Sequence, residues 1–154
     1  MSKEVNGPRR SLLSGALMGI GVAGFVDETV FHQLLHWHHF YDRSTRDWAL
    51  ISDGMFHAVS WVCMVAGLFV FADLRRRAAW DKLRQISGFG LGLGGFQLYD
   101  GLVQHKLLHF HQIRYNVSIL PYDLVWNIIA ALVIIAGVVT LARARRARVG
   151  SSAK

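Results

Sequence analysis

Four apolar stretches, at 12–36, 55–74, 86–109 and 122–142, set the strongest limit on what this chain can fold into. Each reaches the roughly 20 residues that a helix needs to cross a hydrocarbon core. At that length helix is the local structure that satisfies every backbone N–H and C=O inside lipid. Composition agrees. Charged residues make up 18% of the chain, against about 25% in soluble domains. The sequence therefore predicts an all-α, polytopic membrane four-helix bundle, formed as a single domain over residues 1–154. The first stretch follows Arg9 and Arg10 as a signal peptide would, but it runs on through Asp27 without a cleavage site. The lone Cys63 excludes an intramolecular disulfide framework or a cysteine-rich zinc module.

The formal charge of +7 suggests a nucleic-acid partner until the charges are mapped. Thirteen of the 17 Lys and Arg residues lie in three segments. These are the N-terminus (Lys3, Arg9, Arg10), the middle loop (Arg75, Arg76, Arg77, Lys82, Arg84) and the C-terminus (Arg143, Arg145, Arg146, Arg148, Lys154). Glu4, Asp73 and Asp81 are the acids among them. With four spans, those segments share one side, and the positive-inside rule makes that side, with both termini, cytoplasmic. The basic charge is thus a topology signal, and no nucleic acid is expected. Trp37, Tyr41, Trp48, Tyr115, Tyr122 and Trp126 flank the opposite ends of the spans, as an interfacial aromatic belt does.

The chain also repeats itself. Gly19, Gly21, Asp27, His32, His36 and His38 recur 73 residues later as Gly92, Gly94, Asp100, His105, His109 and His111. The second spans echo one another at an offset of 70, which places Asp53 and His57 opposite Asp123 and Asn127. Two tandem repeats, 12–74 and 86–142, each of two spans, have the same orientation and are related by an axis along the membrane normal. Gly15/Gly19 and Gly88/Gly92 are GxxxG pairs, read here as close helix packing.

All eight histidines fall in the half of the molecule away from the basic segments. On an ideal α-helix His32 and His36 share one face, as do His105 and His109, and Glu28 extends the first stripe a turn deeper. Asp53 and His57 are likewise one turn apart. With the first and third spans facing each other, these side chains converge, which is how helical bundles build metal sites. His32, His36, His57, His105, His109, Asp53 and Glu28 are the candidate ligands. Nitrogen and oxygen donors without thiolate suit copper(II), iron or zinc. Asp27 and Asp100 lie about 140° around an ideal helix from the next histidine. That leaves direct ligation after a bend, a hydrogen bond to a ligating imidazole, a proton relay or a polar clasp open to them. Asp123 is the weakened counterpart of Asp53, with a hydrogen bond to a ligating imidazole, a proton relay or a simple cap of the fourth span open to it. His38, His39 and His111 sit at loop edges and are expected to be exposed.

The stretch Gly19 to His39, which reads GxGxxGFxDxxxxHxxLxHxHH, and its echo at Gly92 to His111 resemble a bacterial family of four-helix membrane proteins that carries only a domain-of-unknown-function label. The resemblance covers Leu12 to Ala142. It implies the bacterial inner membrane, and a copper or respiratory context in which a terminal oxidase or its assembly factors are partners. It brings no established activity. The leading expectation is an integral membrane metalloprotein in the lipid bilayer, with copper favoured over iron or zinc, its site facing the periplasm, acting in redox chemistry or metal delivery. The alternatives are a b-type cytochrome whose haem is held by His36 and His109 or by His32 and His105, and a proton or metal transporter, which with four spans requires a homo-oligomer.

Overall fold

The computed structural model describes residues 6–152. Lys3, Glu4, Lys154 and the side chain of Arg148, counted above among the terminal charges, lie outside that description. The described residues form helices and loops: α1 (Gly7–Val26), α2 (Arg46–Arg76), α3 (Lys82–Tyr99) and α4 (Ile119–Ser152). α1 runs without a break into a π-helical segment, Asp27–Leu34, and α3 into another, Asp100–Leu108. Thr45 caps α2 by accepting from the Trp48 N–H, and Asp81 caps α3 by accepting from the Arg84 N–H. α2 thus begins well before the apolar stretch at 55–74, so Asp53 lies two turns inside the helix.

α1 and α3 run parallel at the centre. Their glycines set the spacing. A Cβ on Gly15 or Gly19 would fall on the carbonyl oxygens of Gln85 and Phe89, and one on Gly88 or Gly92 on those of Leu12 and Ala16. Only glycine permits this approach, and in lipid such packing supplies much of the association energy. α2 packs antiparallel on α1, and α4 antiparallel on α3. Gly21 meets Ser60 and Met64 of α2, while its repeat partner Gly94 meets Ala130 and Ile134 of α4. Ser14 donates to the Gly67 carbonyl at 2.7 Å, and Ser87 to the Gly137 carbonyl at 2.7 Å. Every one of these pairs maps onto its twin at offsets of 73 and 70, so the duplication is a structural two-fold.

Three helical stretches, Gly7–Leu34, Arg46–Arg76 and Ile119–Ala147, are long and apolar enough to cross a membrane. α3 carries Arg84, Gln85, Gln97 and a run of glycines instead of a lipid-facing apolar surface. It lies between α1 and α4, and its packing along α1 gives it the same depth. At the basic end, Arg10, Arg76 and Arg77 converge on Asp73 at 2.7, 3.3 and 2.8 Å, and Arg75 stacks on Trp80. The histidines lie at the other end.

Candidate metal centre

The π-helical segments decide which side chains meet. In a turn closed by i→i+5 hydrogen bonds, residue i+5 returns over residue i; Leu35 N–H, for example, donates to the Val30 carbonyl at 2.9 Å. Asp27 and His32 are five apart, as are Asp100 and His105. The Asp27 carboxylate accordingly faces His32 Nε2 at 3.8 Å, and that of Asp100 faces His105 Nε2 at 3.1 Å. The 140° separation of an ideal α-helix does not apply. Winding, rather than a glycine bend, brings each pair together.

Each π-helical segment is followed by a histidine in the left-handed region, His36 (φ 50°) one residue beyond Leu35 and His109 (φ 53°) directly after Leu108. This stops the helix and turns the following chain back across the end of the molecule. His36 and His109 are therefore exposed, whereas His38 and His111 are carried inward and are only 5% and 2% exposed. The expectation of His38 and His111 as exposed loop-edge residues is thereby corrected, because the helix stops before reaching them. His39 is half-buried, with its Nδ1 2.6 Å from Asp53 Oδ2.

His38 Nδ1–H donates to the Ile113 carbonyl at 2.9 Å, and His111 Nδ1–H to the Phe40 carbonyl at 2.9 Å. A carbonyl can only accept, so both Nδ1 atoms carry a proton, which leaves Nε2 as the nitrogen of each ring free to bind a metal. His32 Nδ1 lies 2.7 Å from Glu28 Oε2 and 3.1 Å from Asp53 Oδ1, so carboxyl groups hold the proton on that nitrogen. His105 Nδ1 is turned to Asp123 Oδ1 at 3.9 Å. The four Nε2 atoms, of His32, His38, His105 and His111, thus point inward, buried and without a hydrogen-bond partner among the described residues. His38 and His111 stack with ring centroids 4.5 Å apart; His32 sits edge-on to His38 at 4.5 Å, and His105 to His111 at 4.7 Å.

Among the described residues, three groups of donor atoms lie within 4.8 Å of one another: Asp27, His32 and His38; His38, His105 and His111; and Glu28, His32 and Asp53. His38 belongs to the first two. Burial pushes the His38 imidazole down to about 2, and the neighbouring His111 and His32 act in the same direction. It is neutral at any physiological pH, the form in which imidazole binds metal.

Of the residues expected as ligands, the fold gathers His32, His105, Asp53 and Glu28, together with Asp27, Asp100 and Asp123. It leaves His36, His57 and His109 apart. His57 Nε2 accepts from Trp61 Nε1 at 3.1 Å, and its ring packs on Phe25. His109 lies beyond the helix end. Asp53 is an anchor: besides His32 and His39 it accepts from the Phe40 N–H at 2.7 Å, tying α2 to the returning loop.

The two-fold breaks at the periphery. Where the first repeat has Glu28, Gln33 and Asp53 around His32, the second has Gly101, Lys106 and Asp123 around His105. The Lys106 ammonium pairs with Asp123. One carboxyl group is lost there and one fixed cation gained.

A crevice of about 540 Å³, lined by His32, Gln33, His36, His39, Asp42 and Arg46 among others, opens beside His32. A second cleft lies on the far side of Asp27, between α1, α3 and α4, and is considerably more apolar.

Residues 14–144 match the family described as predicted membrane protein (DUF2243). The chain belongs to this family. DUF2243 carries no assigned function, and no curated protein and no solved structure is significantly similar to the chain. For this DUF2243 member the reading of function rests on the histidine and carboxylate geometry.

Proposed function

We propose that the protein is an integral membrane metalloprotein whose centre is built by Asp27, His32, His38, Asp100, His105 and His111. The observation that carries this reading is the set of four inward Nε2 atoms, each left without a hydrogen bond, with the Nδ1 atoms of His32, His38 and His111 held by a carbonyl or carboxyl group. Metal-ligating histidines are oriented in this way by a group on the far ring nitrogen. Energetics point in the same direction. Five carboxyl groups (Asp27, Glu28, Asp53, Asp100 and Asp123) are buried here, with Lys106 as the one fixed cation paired with them among the described residues. At about 3 kcal/mol for each acidic residue deep in a span, they would cost on the order of 10 kcal/mol. That equals the whole stability of a typical domain. Bound cations offset such a cost.

Copper is the favoured metal. The donors are four imidazoles and two carboxylates without sulfur, and copper(II) stands highest in divalent affinity for such a site; iron and zinc follow. A fixed redox centre fits better than metal delivery, because buried ligands held by their far nitrogens exchange slowly. The crevice beside His32 gives an entry path from the side opposite the basic end, which the charge distribution makes periplasmic. Haem fits poorly, since His32 and His105 stand in a packed cluster of four imidazoles rather than alone on facing helices, and His36 and His109 are exposed beyond the helix ends.

The test is to load the metal-depleted protein in detergent separately with copper(II), iron(II) and zinc(II), followed by metal content and electron paramagnetic resonance. The reading expects tight stoichiometric uptake and, for copper, hyperfine coupling to imidazole nitrogens. Failure of all three metals to be retained would overturn it.

A further inference from the structure

The differences between the two repeats around His32 and His105 all point the same way. The first repeat carries Glu28, Gln33 and His39 where the second carries Gly101, Lys106 and Gln112. Lys106 pairs with Asp123, the twin of Asp53, so in the second repeat one buried carboxyl group is matched by one fixed cation. In the first, Glu28 and Asp53 are 2% and 1% exposed, and neither pairs with a lysine or arginine among the described residues. Arg46, which lines the crevice, is exposed and reaches neither of them. Space separates the halves as well as charge. A Cβ on Gly101 would meet the Asn127 side chain at 2.6 Å and that of Trp126 at 2.8 Å, so the second repeat has no room for a counterpart of Glu28.

The two carboxyl groups of the first repeat converge on one atom. His32 Nδ1 is 3.1 Å from Asp53 Oδ1 and 2.7 Å from Glu28 Oε2. A ring nitrogen carries at most one hydrogen. That hydrogen is directed to Asp53, which leaves Glu28 Oε2 buried without a hydrogen-bond partner. Glu28 Oε1 already accepts from Gln33 Nε2 at 2.7 Å. A proton on His32 thus satisfies one of the two oxygens, whereas a metal cation takes lone pairs from both oxygens and from the nitrogen together. His39, whose Nδ1 is 2.6 Å from Asp53 Oδ2, adds a second imidazole on the crevice side. Two carboxylates and two imidazoles fit a divalent first-row cation such as zinc(II).

We propose that Glu28, Asp53, His39 and the Nδ1 atom of His32 form a second divalent-cation site, on the opposite face of the His32 ring from the centre described above. The incoming cation takes the place of the Nδ1 proton, and one proton leaves to water through the crevice for each cation bound. No electron moves in this exchange. The inference deepens the metal reading and rests on it only for the metal at His32 Nε2, because Glu28, Asp53 and His39 lie outside the first ligand set. The crevice opens at His32 and His39, so this second cation exchanges during gel filtration, while that of the enclosed centre is retained.

Calorimetric titration of zinc(II), at equilibrium, into the copper-loaded and gel-filtered protein tests the proposal. One equivalent of zinc is expected to bind with copper retained, and to release one proton, read from the heats in buffers of different ionisation enthalpy. It should also alter the copper paramagnetic resonance signal through the shared imidazole. Gln33→Lys sets the ammonium of the second repeat beside Glu28, and should weaken zinc binding at least tenfold. Glu28→Gln should do the same, with copper content and elution volume unchanged in both variants. In His38→Ala/His111→Ala, which dismantles the centre of four rings, zinc should still bind here and remain sensitive to Glu28→Gln, so failure of one site is distinguishable from failure of the other. Absence of the zinc equivalent in the unaltered protein would overturn the proposal. So would undiminished affinity in both Gln33→Lys and Glu28→Gln, or a copper signal that bound zinc leaves unchanged.

Discussion

His38 and His111 lie face to face across the internal two-fold, rings parallel to within 2° and centroids 4.5 Å apart. Each anchors its Nδ1–H on the main chain two residues beyond the other: His38 on Ile113, His111 on Phe40. The loops of the two repeats are thus exchanged across the axis, and the pair carries two Nε2 atoms to the centre of the molecule. Stacked and fixed from behind, the two rings form the hub of the proposed centre.

His38 is a donor in two of the three close groups, whereas His105 belongs to one. His38→Ala is therefore expected to weaken copper binding more than His105→Ala, by at least a further tenfold in competition with a chelator. Equal losses would argue against a shared His38.

Asp53 holds His32, His39 and the Phe40 N–H at once, whereas Asp123 is paired with Lys106. Asp53→Asn should lower metal affinity by about 10–100-fold, the usual cost of losing a group that orients a ligating histidine. Lys106→Met strips Asp123 of its cation, and should lower the thermal midpoint in detergent. The double variant Lys106→Met/Asp123→Asn should recover part of that loss, because no uncompensated carboxylate is then left buried.

Acid should destabilise the metal-free protein through His38. Its folded value, about 2, lies far below the ordinary histidine value of 6.5, so the folded state binds fewer protons than the unfolded state. Stability from this group is complete above pH 6.5 and falls steadily as the pH drops below it. Thermal midpoints of the unaltered protein should decline between pH 6.5 and 4.5, and the decline should be shallower in His38→Phe.

The contact between α1 and α3 tolerates no side chain. Gly88→Leu drives a branched chain into the Leu12 carbonyl, and is expected to cost at least the ~1–3 kcal/mol of an overpacked core. At Gly95, where a Cβ meets nothing within 4 Å, alanine should be nearly neutral. Unfolding in mixed micelles distinguishes the two.

Much of this was legible in the sequence. Apolar stretches separated by basic segments dictate the helical membrane fold, and the recurrence at 73 residues gives the two-fold that pairs Gly21 with Gly94 and Ser14 with Ser87. The ligand set was only half legible. A period of 3.6 residues puts His36 in line with His32, but the helix has already widened to i→i+5 at Asp27 and stops at His36. No residue type announces that widening. The repeat does contain a signal: Asp27, His32 and His38 recur intact as Asp100, His105 and His111, whereas Glu28, His39 and His57 become Gly101, Gln112 and Asn127. His36 and His109 also recur, and the structure supplies a backbone reason, since histidine is among the side chains enriched at positive φ.

The most direct test of the central claim is metal content after copper loading and gel filtration, compared among the unaltered protein, His38→Ala/His111→Ala and His36→Ala/His57→Ala/His109→Ala. The account predicts stoichiometric copper in the first and third, and its loss in the second with the elution volume unchanged. Copper retained by the His38→Ala/His111→Ala protein, or lost from the triple variant alone, would contradict it.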